Sequence, residues 1–178
     1  MVPMIDDFKQ RYGLGEDFVV VADSGLMSAN NVRLLQEAGY KYIIGARMKN
    51  EGKIVREWIF RQDKIDGAFY EYKRDNGERL VVGYSETRAK KDAYNRERGI
   101  ARLRKAYSTG KLTKSQVNRR GYNKFLEISE DIDVFISEPK IAEDAKWNGL
   151  KGYITNTDLD AARYAGKPRY ICKNTILN

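Results

Sequence analysis

The chain has no histidine and a single cysteine, Cys172, among its 178 residues. Without histidine it has no Ser-His-Asp triad, no Cys-His pair and no histidine-ligated zinc site. One cysteine excludes an internal disulfide and every Cys-x-x-Cys metal site, and it indicates a reducing compartment such as the cytoplasm. Any catalysis therefore depends on carboxylate, lysine, tyrosine or serine side chains, or on a hard cation such as magnesium or manganese.

Long apolar runs are absent as well, although 42% of the residues are hydrophobic. The longest run covers only a few residues, so we expect neither a signal peptide nor a membrane-spanning helix. A chain of this length and composition can form one domain with a real core, or one domain with an appendage.

One segment supplies the entire positive excess of the chain. Residues 87–120 contain 12 basic and two acidic residues, a net charge of +10, whereas the other 21 basic and 23 acidic residues give −2. Such a concentration is the electrostatic footprint of a polyanion site. The alternative is a solvated helix face, which is the usual role of a run of charges. The cations predicted to contact nucleic acid are Arg88, Lys90, Lys91, Arg96, Arg98, Arg102, Arg104, Lys105, Arg119 and Arg120.

An apolar, β-branched run from Phe18 to Ala22 ends on the carboxylate of Asp23, and Gly25 follows two residues later. Continuous apolar runs of this kind are typical of buried parallel strands. Because ligands bind at the carboxyl ends of the strands in open α/β sheets, Asp23 is a candidate functional residue. The alternative is that Asp23 only forms an Asx turn before Gly25.

The residues on either side of this aspartate predict a βαβ unit. A strand over 17–23 is followed by a helix that begins at the N-cap Ser28 and ends at Ala38, with Ala38 on its inner face. Gly39 is placed to stop this helix, and a second strand covers 40–46. We expect a right-handed crossover between the two strands.

After residue 47 the pattern predicts a β-rich region with basic helices. The predicted elements are a helix over 51–61 with Ile54, Trp58 and Arg61 on one side, strands over 69–73 and 79–84 around the turn Asp75-Asn76-Gly77, a long basic helix over 87–107, a short helix over 114–120, and strands over 124–128, 133–136 and 152–155. The long helix has Thr87 as its predicted N-cap and a thin apolar stripe of Tyr94, Ile100, Ala101 and Leu103. An α-helix before the first strand is predicted over 6–13, and a loose tail after Thr157.

Three blocks of sequence occur in a specific order. The first is Val20–Ser28 with Asn31 and Tyr42–Arg47, the second is Tyr84–Asp92 with Arg96-Glu97, and the third is Lys146–Thr157. In this order they resemble the DDE insertion-sequence transposases, within the group whose ribonuclease-H-like core is interrupted by a large β-rich insertion. The resemblance covers roughly residues 5–158.

The resemblance implies an α/β (α+β) fold in three parts. Residues 1–47 would form a partial ribonuclease-H-like core, residues 48–150 the insertion with its basic helices, and residues 151–178 a strand that returns to the core and a loose tail. Asp23 matches the family's second catalytic aspartate, one of three carboxylates that hold two magnesium (or manganese) ions for cleavage and strand transfer of DNA at element ends. The implied partner is DNA, and a homodimer of the intact protein is left open.

The resemblance also implies a tryptophan that stacks on a flipped base. Trp147 is the candidate for this role, although tryptophans more often belong to a core than contact a ligand. The other two catalytic carboxylates have no match. Only 22 residues precede Asp23 and none of them forms a strand that ends in Asp, and no glutamate follows Glu143 to complete the family's Tyr-x-x-Arg-x-x-x-Glu pattern.

We therefore expect an internal segment of a transposase that is catalytically incomplete and binds no metal tightly by itself. A second hypothesis is an inactive nucleic-acid-binding module that acts through residues 87–120. A third is a metal-independent RNA-binding protein.

Overall fold

The computed structural model describes residues 2–15, 18–25, 28–130 and 133–159. Predictions for the tail beyond residue 159 lie outside these residues. The described part has a mixed α/β fold with five α-helices, a five-stranded mixed sheet and a separate two-stranded hairpin. No helix in it is long and apolar enough to cross a membrane.

The elements fall into two compact units. The first unit contains the described residues up to Tyr84 and from Lys151 onward, and the second contains Ser85–Leu150. The helices are α1 (Val2–Tyr12), α2 (Ala29–Glu37), α3 (Lys53–Arg61), α4 (Glu86–Ser108) and α5 (Glu138–Ala145). The strands are β1 (Val19–Ala22), β2 (Lys41–Gly45), β3 (Phe69–Lys73), β4 (Arg79–Tyr84), β5 (Leu126–Ile128), β6 (Val134–Ile136) and β7 (Leu150–Thr155).

The sheet of the first unit has the strand order β1-β2-β7-β4-β3. β1 and β2 are parallel, with Ala22 opposite Ile44, so the predicted β-strand, helix, parallel β-strand arrangement is confirmed. β7 pairs with β2 in the antiparallel direction. β3 and β4 form the antiparallel hairpin predicted from the Asp75-Asn76-Gly77 turn, where Gly77 has a φ of 80°. A positive φ of this size is the reason that glycine suits the position.

α2 begins and ends where its capping residues predict. The Ser28 hydroxyl accepts a hydrogen bond from the Asn31 backbone N–H at 3.0 Å, and Gly39 stops the helix with a φ of 72°. Leu35 is fully buried on the inner face. The prediction that Ala38 lies on that face is wrong: it is the exposed C-cap, beyond the last helical residue.

α3 buries a different face from the one that its spacing suggested. Ile54 is 75% exposed, whereas Ile59 is 1% exposed. Trp58 packs edge-on against Tyr72 of β3, with 5.2 Å between ring centroids. The sequence has apolar residues at 54 and 55 and again at 58 and 59, so helical periodicity alone supports two faces and does not choose between them.

The Thr155-Asn156-Thr157 block fastens the end of β7 to the start of β2. The Asn156 side chain accepts from the Tyr42 N–H and donates to the Tyr40 carbonyl, both at 2.9 Å. The Thr155 hydroxyl donates to the Tyr42 carbonyl at 2.6 Å. These bonds lie at the amino end of β2, opposite the edge that carries Asp23, and their role is structural.

α4 begins earlier than the sequence suggested. Ser85, and not Thr87, is the N-cap, and its hydroxyl accepts from the Arg88 backbone N–H. Thr87 lies within the first turn of the helix. Both residues are good capping types, and the deciding contact depends on where the preceding strand β4 ends.

The second unit has its own small core. Its fully or nearly buried members are Ile100 and Leu103 of α4 with Phe125 and Leu126. Gly99 lies where α4 meets the Tyr122 ring, and a Cβ atom at this position would be 2.3 Å from that ring. The absence of a side chain at residue 99 therefore lets the helix approach closely.

In the second unit one predicted helix is wrong and one helix was missed. The helix expected over 114–120 is a short 3₁₀ turn, Lys114–Gln116, and a second 3₁₀ turn, Gly121–Phe125, follows it. The helix α5 was not predicted. Its signal is Ser137 before Glu138-Pro139, since proline in the first turn of a helix needs no N–H partner.

Candidate functional site

Asp23 follows β1 directly and lies at the carboxyl edge of the parallel strand pair. Its side chain is exposed, and one carboxylate oxygen accepts from the Ser24 backbone N–H at 2.6 Å and from the Ser24 hydroxyl at 3.3 Å. Both bonds go to the next residue, whereas an Asx turn joins the carboxylate to the N–H two residues on, so these contacts do not show the predicted Asx turn. The carboxylate lies at the edge where α/β sheets bind ligands. Its position is therefore consistent with a role of Asp23 in ligand binding.

Gly45, the last residue of β2, and Arg47, two residues later, hold the turn after Asp23 in place. The Arg47 guanidinium donates to the Ser24 carbonyl at 3.0 Å and to the Gly25 carbonyl at 3.5 Å. A Cβ atom at Gly45 would lie 2.8 Å from the Ser24 nitrogen, so only glycine lets the turn lie against β2. The sequence block that ends Gly-Ala-Arg thus supports the position of Asp23.

The described residues do not form a magnesium site around this aspartate. Across 2–15, 18–25, 28–130 and 133–159, no group of three or more aspartate, glutamate, histidine or cysteine side chains could hold a metal ion. Magnesium bound by one carboxylate keeps most of its waters and is held weakly. Asp23 can supply one ligand, and we derive no metal-dependent step from these residues.

The exposed side of α4 carries a line of cations with a tyrosine among them. Lys91, Tyr94, Arg98, Arg102 and Lys105 are separated by three or four residues and therefore share one helix face. All five are exposed. We call this set the α4 stripe, and at 1.5 Å per residue it extends about 21 Å along the helix axis.

The α4 stripe lies opposite the buried face of Gly99, Ile100 and Leu103. None of the three acidic residues of α4, Glu86, Asp92 and Glu97, occupies a stripe position. Within the part of the chain that the structure describes, the four stripe cations form no ion pair. The stripe is therefore a strip of uncompensated positive charge that faces solvent.

The predicted apolar stripe of α4 is only half right. Ile100 and Leu103 are buried as expected. Tyr94 is 58% exposed and Ala101 is exposed too, so neither belongs to the core. Sequence reasoning missed Tyr94 as a surface residue, and the available signal was its spacing of three and four residues from Lys91 and Arg98.

Three further predicted cations of α4 are exposed but paired. Arg88 lies 3.8 Å from Asp92, Lys90 lies 2.9 Å from Glu86, and Arg104 lies 3.0 Å from Glu138. Exposed pairs of this kind contribute little to stability and break easily. These side chains can contact a polyanion only if their ion pairs with carboxylates break.

Arg96 and Trp147 are placed differently from the other candidates. The Arg96 side chain is 11% exposed and donates to the Asn148 side-chain oxygen at 2.6 Å, so it fastens α4 to the turn after α5. Trp147 is half-buried in that same turn, where its carbonyl accepts from the Leu150 N–H. Both positions suit packing within the second unit.

Arg119 and Arg120 lie between the two 3₁₀ turns of the second unit. Both are exposed. The Arg120 backbone N–H is held by the Asn118 side chain at 2.8 Å. The loop thus presents two adjacent guanidinium groups outside α4.

A buried polar cluster in the first unit was not foreseen. Glu78 is 4% exposed and accepts from the Tyr42 hydroxyl at 2.6 Å, from Asn76 at 2.9 Å, from Gln36 at 3.1 Å and from Arg74 at 3.2 Å. Burial, and then the contact with Glu78, raise the pKa of Tyr42 well above its usual range. Every oxygen of this cluster has a partner among the described residues, which is typical of a structural network.

Comparison with known proteins gives no relative. No family model, no curated protein and no solved structure matches this chain.

Proposed function

We propose that the protein binds DNA through the α4 stripe, by contacts between its cations and backbone phosphates. The single observation that carries this proposal is the exposed line of Lys91, Arg98, Arg102 and Lys105, which contains no acidic residue. Like charges three or four residues apart disfavour an isolated helix. A polyanion that lies along the stripe would offset that cost and release its condensed counterions.

Phosphate contacts fix affinity and register without reading sequence. We therefore expect the stripe to bind DNA of many sequences. Arg119 and Arg120, which are exposed in the same unit, are available for further phosphate contacts. Arg96 is excluded from this role because its guanidinium is used within the unit.

The test compares two variants that carry the same net charge. One replaces the four stripe cations, Lys91, Arg98, Arg102 and Lys105, with glutamine. The other replaces four exposed lysines of the first unit, Lys49, Lys53, Lys64 and Lys73, with glutamine. Each set of four substitutions lowers the formal net charge from +8 to +4. Circular dichroism and thermal unfolding would establish that both variants fold.

Affinity for a duplex oligonucleotide is measured by fluorescence anisotropy at one fixed salt concentration. We expect the stripe variant to lose at least about tenfold in affinity and the matched variant to stay within about twofold of the wild type. Equal losses in both variants would mean that only net charge matters. That result would contradict the assignment of the site to α4.

We further propose that β1, α2, β2 and the returning strand β7 are part of the ribonuclease-H-like core of a DDE transposase, in which Asp23 is one of three metal ligands. The supporting observation is an exposed carboxylate at the carboxyl edge of the parallel strands β1 and β2. The helix α2 lies between these two strands in the sequence. An antiparallel strand, β7, follows the intervening second unit and pairs with β2. This order suits a core that is interrupted by an insertion.

The core proposal is tested by nuclease activity with magnesium. The chain by itself is expected to leave supercoiled DNA intact, since the described residues contain no group of three side chains that could hold a metal ion. In a chain extended through the neighbouring reading frame, cleavage is expected and Asp23→Asn is expected to abolish it. Activity of the extended chain that survives Asp23→Asn would exclude Asp23 from the reaction.

A further inference from the structure

We infer that Tyr94 stacks on an unpaired base, so that the α4 stripe takes a single-stranded stretch of nucleic acid in preference to an intact duplex. The inference deepens the proposed function and rests on it, because the phosphates of that strand must lie on the stripe cations. It assigns a ligand class to the site, and it gives the one aromatic member of the stripe a role.

The position of Tyr94 carries the inference. It lies three residues after Lys91 and four before Arg98, so a cation flanks the ring about one helical turn away on each side. The side chain is 58% exposed. Burial of an aromatic ring is favourable, and a tyrosine this exposed on an otherwise cationic face keeps apolar surface for a partner.

Arg98 prepares the ring for such a partner. Its guanidinium lies over the Tyr94 ring, with 5.6 Å between the guanidinium carbon and the ring centroid. A cation–π contact of this kind restricts the ring and holds a positive charge beside it. Because the guanidinium covers one face, a base would stack on the other face of the ring and have a phosphate-binding group close by.

The combination favours single strands over duplexes. In a duplex the flat faces of the bases are stacked inside, and phosphates are all that a surface helix meets without entering a groove. In a single strand every base has a free π-face, and proteins that bind such strands combine a cationic track with aromatic stacking. A duplex would use the four cations and leave the Tyr94 ring without a partner.

The chain offers a matched control on the same helix. Tyr107 is 56% exposed, close to the value for Tyr94, but its spacing from Arg98 and Arg102 places it off the stripe. Replacement of either tyrosine with leucine removes a ring, keeps apolar bulk and suits a helix. A loss specific to the stripe position can thus be separated from a general effect of removing an exposed tyrosine.

The experiment measures the affinity of the whole chain for three probes at one salt concentration. The probes are oligothymidylate and oligouridylate of about 16 nucleotides and a duplex of mixed sequence. We expect Tyr94→Leu to weaken binding of the single strands by about 5- to 100-fold and to leave duplex binding within about twofold. Tyr94→Phe is expected to restore single-strand binding, and Tyr107→Leu to leave all three affinities unchanged. Selective loss on only one of the single strands supports the inference and shows whether DNA or RNA is bound.

Two outcomes would overturn it. One is a Tyr94→Leu variant that binds single strands as well as the wild type does. The other is an equal loss for single strands and duplex. Failure of the proposed function is a separate result: the stripe variant with four glutamines would then bind every probe as tightly as the wild type does.

Discussion

At the scale of the single residue, the Asp23 turn depends on the missing side chain of Gly45. A methyl group there would lie 2.8 Å from the Ser24 backbone nitrogen, and backbone cannot rotate away as a flexible side chain can. We expect Gly45→Ala to lower the free energy of unfolding by about 1–3 kcal/mol, the usual cost of overpacking. Urea denaturation measures the change. Gly15→Ala is the control, since a Cβ atom at Gly15 has no heavy atom within 4 Å.

Tyr42 gives a residue-scale prediction about pH. Burial beside Glu78 raises the pKa of its phenol above the value of about 10 that it has in the unfolded chain. The folded chain therefore holds this proton more tightly, and the stabilisation is fully present below about pH 10 and decreases as the pH rises above it.

The measurement compares the wild type with Tyr42→Phe by urea denaturation at several pH values. We expect the difference in the free energy of unfolding between them to be constant from about pH 7 to 9 and then to shift in favour of the variant above about pH 10. Two stability curves that stay parallel through this upper range would show that the proton of Tyr42 is not linked to folding.

At the scale of the element, α4 combines a solvent face that we propose to bind DNA with a packed face that contains Gly99. Glycine inside a helix normally costs up to about 1 kcal/mol relative to alanine, so propensity alone predicts that Gly99→Ala stabilises the protein. The Tyr122 ring opposes this gain, because a Cβ atom would lie 2.3 Å from it. Overpacking costs about 1–3 kcal/mol, and we therefore expect net destabilisation.

A double-mutant cycle separates these two effects. In a Tyr122→Leu background the obstacle is smaller, and the same Gly99→Ala change is expected to become neutral or stabilising. Thermal or urea unfolding of the four proteins provides the values. Additive effects of the two changes would mean that Tyr122 does not set the cost at residue 99.

The elements also show which features local sequence can predict. The β3–β4 hairpin follows from Asp75-Asn76-Gly77, and the limits of α2 from Ser28 and Gly39, because these signals act through a few neighbouring backbone groups. The buried face of α3 and the surface position of Tyr94 depend on which elements pack against each helix. The contacts of Arg96 with Asn148 and of Arg104 with Glu138 join residues more than thirty positions apart, so a count of charges could not separate these two arginines from the stripe cations.

At the scale of the whole molecule, the chain's excess charge is confined to one segment. Residues 87–120 carry a net +10, and all the other residues together carry −2. A polyanion is therefore expected to be drawn to one part of the second unit. The +8 of the whole chain understates the charge of this segment, because it is the sum of +10 for the segment and −2 for the other residues.

The salt dependence of binding tests that concentration of charge. Each phosphate that is neutralised contributes about −0.9 to the slope of log affinity against log salt for a duplex, and about −0.7 for a single strand. If the four stripe cations each neutralise one phosphate, replacing them with glutamine should make the slope shallower by about 3.6 on duplex DNA and about 2.8 on a single strand. The variant with four substituted lysines in the first unit should keep the wild-type slope. If the stripe variant keeps the full wild-type slope, other cations make the phosphate contacts. This conclusion holds whatever affinity the variant has at any single salt concentration.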